Sequence, residues 1–205
     1  MSKSQILIFL AIIFALIPQA NLWANDSLVV KYTFFLERDS ALFGAVAPAG
    51  DFNADGYPDL ALGIVFINGG FGSAVYIFYG GPNFDTVPDL VLMGEPQNDQ
   101  SACGVGELLF TEFGGADIVS LNDFNGDGYN DLAVAAPQYC SRVWKEGRIY
   151  IYSGGPFPDT IPDFIIDGLE EQNELGTYMG GGDFNGDGLS DLLPITGLTA
   201  TGAKA

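Results

Sequence analysis

DFNGDGYND, Asp123 to Asp131, is the stretch whose reading decides the fold. The chain holds two further copies, DFNADGYPD at Asp51 to Asp59 and DFNGDGLSD at Asp183 to Asp191. All three share D-x-N-x-D-G-x-x-D: acids at positions one, five and nine, Asn at three, Gly at six. Oxygen donors at alternate positions suit a hard cation. Ca²⁺ takes about six to eight oxygens from carboxylates, amides, backbone carbonyls and water. The expected ligands in the second copy are Asp123, Asn125, Asp127 and Asp131, with the backbone carbonyl of Tyr129. The matching sets are Asp51, Asn53, Asp55, Asp59 with the Tyr57 carbonyl, and Asp183, Asn185, Asp187, Asp191 with the Leu189 carbonyl. The glycine permits the positive φ of a sharp bend. A tight Asx-rich turn without metal is the competing reading. Threefold recurrence favours the ion, because close carboxylates repel by roughly 4 kcal/mol per pair at an effective dielectric near 20 and a dication removes that cost.

An EF-hand also begins D-x-N-x-D-G, but it requires a bidentate Glu at position twelve and a helix on each side. Position twelve is Leu62, Val134 or Pro194 here, and the acids run into DLALGIVF, DLAVAAP and DLLPITG. Those continuations are strand-like, so each nonapeptide is read as the turn of a β-hairpin.

The chain has 205 residues, 26 acids against seven Lys and Arg, a formal net charge of −19 and no His. Three acids in each of the three loops explain nine of the 26. The remaining excess argues against nucleic acid or an anionic membrane surface as partner. Without His there is no Ser/His pair and no His-held metal within the chain. Ile6 to Ile17 form an apolar run behind Lys3, about a dozen residues and too short to span a bilayer as a helix. Small residues follow at Ala20 and Ala24. Residues 1–24 therefore read as a secretory signal peptide, cleaved after Ala24 or, as second choice, after Ala20; a retained anchor is the alternative. Export implies a secreted or cell-surface location with no membrane span in the mature chain, and suits weak extracellular calcium sites. Two cysteines, Cys103 and Cys140, read as a disulfide in an exported chain, with buried free thiols as the alternative.

The segments between the loops repeat in order. LVVKYTFFL, Leu28 to Leu36, is a β-rich run. Phe43-Gly44 precedes Asp51, DLALGIVF follows, and then come SAVYIFYGGP (Ser73 to Pro82) and VPDLVLMG (Val87 to Gly94). Phe113-Gly114 precedes Asp123, and DLAVAAP, GRIYIYSGGP and IPDFIIDG repeat the series. Leu175-Gly176 opens a third unit that reaches DLLPITG. The loops start 72 and then 60 residues apart, the extra length falling around Cys103. Four short strands per period of this size describe a β-propeller blade.

These units resemble FG-GAP repeats, as in the N-terminal β-propeller of integrin α subunits. Phe43-Gly44 and Phe113-Gly114 match the FG, and Ala135-Ala136-Pro137 resembles the GAP. The nonapeptides match that family's calcium-binding hairpin. Leu62-Gly63-Ile64 and Leu175 depart from the pattern and are expected to weaken packing at the cap rather than the metal loops. The resemblance covers roughly residues 28–197 and implies an all-β, partial β-propeller of about two and a half four-stranded blades. The expected organisation is a signal peptide at 1–24, propeller blades at 25–197 and an unstructured tail at 198–205. The run at 28–36 reads as an outer strand of a different blade. The whole reads as the front of a longer propeller protein, or as a short form closed by self-association.

Strand alternation puts Cys103 and Cys140 on the face opposite the calcium loops, where they are expected to pair. The resemblance places ligand binding on that same face, on Asn98 to Glu112 and Gln138 to Glu146, with Tyr139, Arg142, Trp144 and Lys145 as a contact set. The implied function is calcium-stabilised, non-catalytic binding or adhesion to an extracellular protein or glycan. The alternative is the non-catalytic propeller portion of a secreted hydrolase or lyase.

Overall fold

The computed structural model describes residues 41–66, 73–95 and 112–197. The expected signal peptide, the run at 28–36, Cys103 with its insertion, and the tail at 198–205 lie outside the described residues. Every regular element among the described residues is a strand. The first sheet holds β1 (Ala41–Gly50), β2 (Asp59–Phe66), β3 (Ala74–Phe78) and β4 (Leu90–Met93) in sequence order, all antiparallel. The second repeats it with β5 (Ile118–Leu121), β6 (Asp131–Ala136), β7 (Arg148–Tyr152) and β8 (Phe164–Asp167). A hairpin of β9 (Tyr178–Gly182) and β10 (Asp191–Ile195) begins a third. Each nonapeptide is the β1–β2, β5–β6 or β9–β10 turn, as its sequence predicts. Pro48 and Pro194 lie in β1 and β10, which are edge strands of their sheets, the place where a sheet tolerates proline.

The middle strands β6 and β7 are buried on both sides. In β7, Tyr150 and Tyr152 face the first sheet, whereas Ile149 and Ile151 face the third hairpin. The core between the first and second sheets contains Phe52, Val75, Ile77, Leu92, Phe113, Leu132 and Val134. Phe113 meets Tyr150 edge-on, with ring centroids 5.2 Å apart. The next core, beyond β6 and β7, holds Leu121, Ala133, Ile149, Ile151 and Leu175. Leu175 stands where Phe would be expected and is 9 % exposed, so the smaller side chain still closes its slot. The innermost strands β1, β5 and β9 are neighbours, which is the fan arrangement of consecutive blades.

The repeated Pro-Asp pairs have a local reason. The Asp89 carboxylate accepts the Tyr79 N–H at 2.8 Å, and Asp163 accepts the Ser153 N–H at 2.9 Å. Each Asp thereby closes the connection between the third and fourth strands of its blade.

Candidate metal-binding hairpins

The three nonapeptides fold on one hydrogen-bond plan. At position one, Asp51, Asp123 and Asp183 accept the N–H of the position-six glycine at 2.9, 3.0 and 2.9 Å. At position three, the Asn53, Asn125 and Asn185 Oδ1 atoms accept the position-five N–H at 3.0, 2.9 and 2.8 Å. At position five, Asp55, Asp127 and Asp187 accept the N–H of Tyr57, Tyr129 and Leu189, each at 2.9 Å. Gly56, Gly128 and Gly188 take φ of 92°, 89° and 93°, the left-handed bend that a Cβ disfavours.

The ninth acids behave differently. Asp59 and Asp131 are buried, and one oxygen of each accepts the N–H of Phe52 or Phe124 at 2.9 and 2.8 Å. The other oxygen reaches the next connection of the blade, accepting from Gly80 at 2.7 Å or Gly154 at 3.1 Å. Asp191 accepts from Phe184 at 2.9 Å, and its other oxygen takes the Asn185 amide at 3.3 Å. Burial pushes the Asp59 carboxyl up to about 6; the amides of Gly80, Asn53 and Phe52 oppose that, and the Asp55 charge adds to it. Asp131 is raised for the same leading reason.

Among the described residues, no group of three or more His, Cys, Asp or Glu side chains is gathered tightly enough to hold an ion unaided. The ninth acid is turned onto backbone amides, while the first and fifth rim the bend. The donor set still suits a hard cation: carboxylates, an amide oxygen and the position-seven carbonyl within nine residues. Among the described residues no basic side chain competes. The described cations, Arg142, Lys145 and Arg148, pair with Glu146, Glu174, Glu95 and Asp167, at the other end of the strands.

At that opposite end the expected contact set is engaged within the chain. Arg148 carries the Tyr139 ring 3.9 Å from its guanidinium and donates to Asp167 and Glu95. The Tyr139 hydroxyl donates to Glu95 at 3.2 Å. Arg142 donates to the Gly168 carbonyl at 2.8 Å, and Lys145 lies 3.4 Å from Glu174. The carbonyls of Trp144, Lys145 and Glu146 accept the N–H groups of Gln172, Glu174 and Leu175, which straps this loop to the segment entering the third hairpin. Cys140 is buried in the same loop, and there is no free cysteine among the described residues; Cys103, its expected partner, lies outside them.

Two features of the hairpins were not singled out from sequence. Phe52 at position two is completely buried between the first two sheets, and Phe124 packs at the second core. Its recurrence in all three copies was the available signal. The position-eight residues Asn130 and Ser190 bond to the preceding hairpin. Position eight reads Pro, Asn and Ser, so nothing in the pattern marks it.

Four-stranded antiparallel sheets stacked face to face, with inner strands adjacent, define a protein built of β-propeller blades. The FG-GAP repeat family matches residues 114–152. Integrin alpha-5 of Xenopus laevis is 28% identical over 174 residues, which cover 80% of this chain and 15% of the integrin. Integrin alpha-V of Gallus gallus is 32% identical over 150 residues, 72% of this chain and 14% of the integrin. Phosphatidylinositol-glycan-specific phospholipase D of Bos taurus is 31% identical over 184 residues, 84% of this chain and 20% of the phospholipase. The chain is an FG-GAP repeat protein of the integrin α-like kind. It spans a fifth or less of the length of these relatives.

Proposed function

We propose that this chain is a calcium-binding part of an exported β-propeller that serves extracellular or cell-surface binding, with a protein or glycan as ligand. The observation that carries the reading is the common framework of the three hairpins. In each, backbone amides of the bend bond to both oxygens of the position-one carboxylate and to one oxygen of the position-five carboxylate, whose other oxygen takes the position-three Asn amide, so neither charge has a basic partner among the described residues. Asp51, Asn53, Asp55 and the Tyr57 carbonyl would hold the first ion, with Asp59 behind them. Asp123, Asn125, Asp127, Tyr129 and Asp131, and Asp183, Asn185, Asp187, Leu189 and Asp191, would do the same in the next two. The ion supplies charge neutralisation and rigidity rather than chemistry, and the chain itself is non-catalytic. Integrin α relatives support the adhesive role and the extracellular location. The Cys103–Cys140 disulfide would then pin the long connection to the second blade. Calorimetric titration of the full chain with CaCl₂ tests the cation reading. Saturable heat at up to three sites is expected, and no heat in chelator-stripped protein overturns it.

A second reading rests on the phospholipase relative, which aligns with more of this chain than either integrin quoted. In it these blades are the non-catalytic propeller portion of a larger secreted hydrolase.

A further inference from the structure

Consecutive hairpins touch through one residue. The Asn130 Oδ1 atom, at position eight of the second nonapeptide, accepts the N–H of Asp51, position one of the first, at 3.1 Å. The contact is built for closeness: a Cβ on Gly50 would lie 2.7 Å from the Asn130 side chain, and Gly50 has a φ of 71°. Beside it, the Gly155 N–H donates to the Phe52 carbonyl at 2.8 Å. The next blade repeats the arrangement with a different side chain. Ser190, 5 % exposed, accepts the Asn122 N–H through its hydroxyl at 3.1 Å. Its own N–H donates to the Asp123 carbonyl at 2.6 Å. Position eight of each later loop thus grips the start of the earlier one.

Position eight lies in the chain between the seventh residue, whose carbonyl is an expected ligand, and the ninth acid. Position one is the acid whose two oxygens already organise the bend of its own loop. Whatever orders one hairpin therefore orders the position-eight residue that holds the first acid of the hairpin before it, through the side chain of Asn130 or the backbone N–H of Ser190.

We propose that Asn130 and Ser190 are positioning residues that couple the three hairpins, so that cation occupancy of one loop raises the affinity of the loop before it. The coupling rests on the cation reading above and adds to it a dependence between sites. Linkage makes the effect reciprocal: an ion in the first loop equally favours the second. Pro58, at position eight of the first loop, has no polar side chain, so the relay of side chains ends there.

Hydrogen exchange read by peptide mass spectrometry resolves the loops separately. The full chain is titrated with CaCl₂, and protection of 51–59 and 123–131 is followed as each loop fills. Asp127→Ala removes a ligand of the second loop only. We expect it to move the midpoint of the first loop to about five-fold higher calcium, the effect of losing one net hydrogen bond. With Asn130→Ala present, adding Asp127→Ala should leave the first midpoint where it is. Asn130→Ser, with the side chain used at position 190, should restore part of the dependence; it also provides a conservative variant should Asn130→Ala unfold the chain. A first-loop midpoint indifferent to Asp127→Ala overturns the coupling alone, as does a shift that persists without the Asn130 side chain. Wild-type protein with no calcium-dependent protection in any loop overturns the cation reading together with it.

Discussion

The Gly114 carbonyl lies against Gly63 so closely that a Cβ there would sit 1.8 Å from its oxygen. Gly114 joins two blades at once: its N–H donates to the Ala135 carbonyl of the second at 2.8 Å, and its carbonyl accepts the Ala45 N–H of the first at 3.0 Å. Gly63→Ala should therefore force the blades apart, at about 3 kcal/mol by the usual cost of overpacking. Ala135 holds the matching position of the second blade, and Ala135→Gly should cost about 1–2 kcal/mol, the backbone term plus one lost buried methyl. Urea unfolding of both variants checks the contrast, and equal losses would contradict it.

Phe52 and Phe184 occupy the same place in their nonapeptides but not the same environment. Phe52 is completely buried, whereas Phe184 is 64 % exposed. Phe52→Ala should lose about 3–5 kcal/mol, the usual range for emptying a buried aromatic site. Phe184→Ala should fall within about 0.5 kcal/mol of the wild type. Denaturation midpoints of the two proteins decide it.

That pair also shows how far the sequence could be read. Hairpin turns, strand order and blade repeat were legible, because loop pattern and alternating apolar strands point the same way. DLAVAA becomes a strand buried on both faces, as its unbroken small and apolar run demands. The inward role of Asp59 and Asp131 was hidden, since an acid suits both an ion and a pair of backbone amides. The engagement of Arg142 and Lys145 was hidden too. It depends on residues 168–175 folding back beside their loop, and only tertiary structure supplies that.

Arg148 is held by geometry as much as by charge. Its guanidinium is bidentate to Asp167, reaches Glu95 and stacks on Tyr139. Lysine offers one point charge and no planar fork, so Arg148→Lys should still cost about 1–2 kcal/mol. Arg148→Met, which leaves Asp167 and Glu95 without a cation, should cost more. Thermal unfolding measures both; a lysine variant as stable as wild type would show that charge alone suffices.

Removal of calcium should lower the melting temperature. A ligand at a hundred times its dissociation constant adds about 2.7 kcal/mol per site, all of it lost on chelation. Asp127→Ala should remove the share of the second loop and, through the coupling, a smaller part of its neighbours', leaving a smaller chelator effect than in the wild type. Melting curves in EDTA and in excess calcium give the comparison, and identical chelator effects in the two proteins would rule out the second loop as a site.

The buried ninth acids give a pH dependence whose sign can be worked out. Burial lifts Asp59 from 3.8 to about 6, and Asp131 moves the same way. A carboxyl raised on folding binds more protons in the native chain than in the unfolded one between those two values. The Asp59 contribution to the stability of the metal-free protein therefore falls as pH rises from about 4 to about 6 and is constant above that window, and the Asp131 contribution has the same sign. A dication favours the ionised carboxylates and brings the folded values down, so calcium should flatten or reverse the slope. Melting temperatures across this range, with EDTA and with calcium, test the linkage. Parallel curves in the two conditions would mean that neither Asp59 nor Asp131 senses the ion.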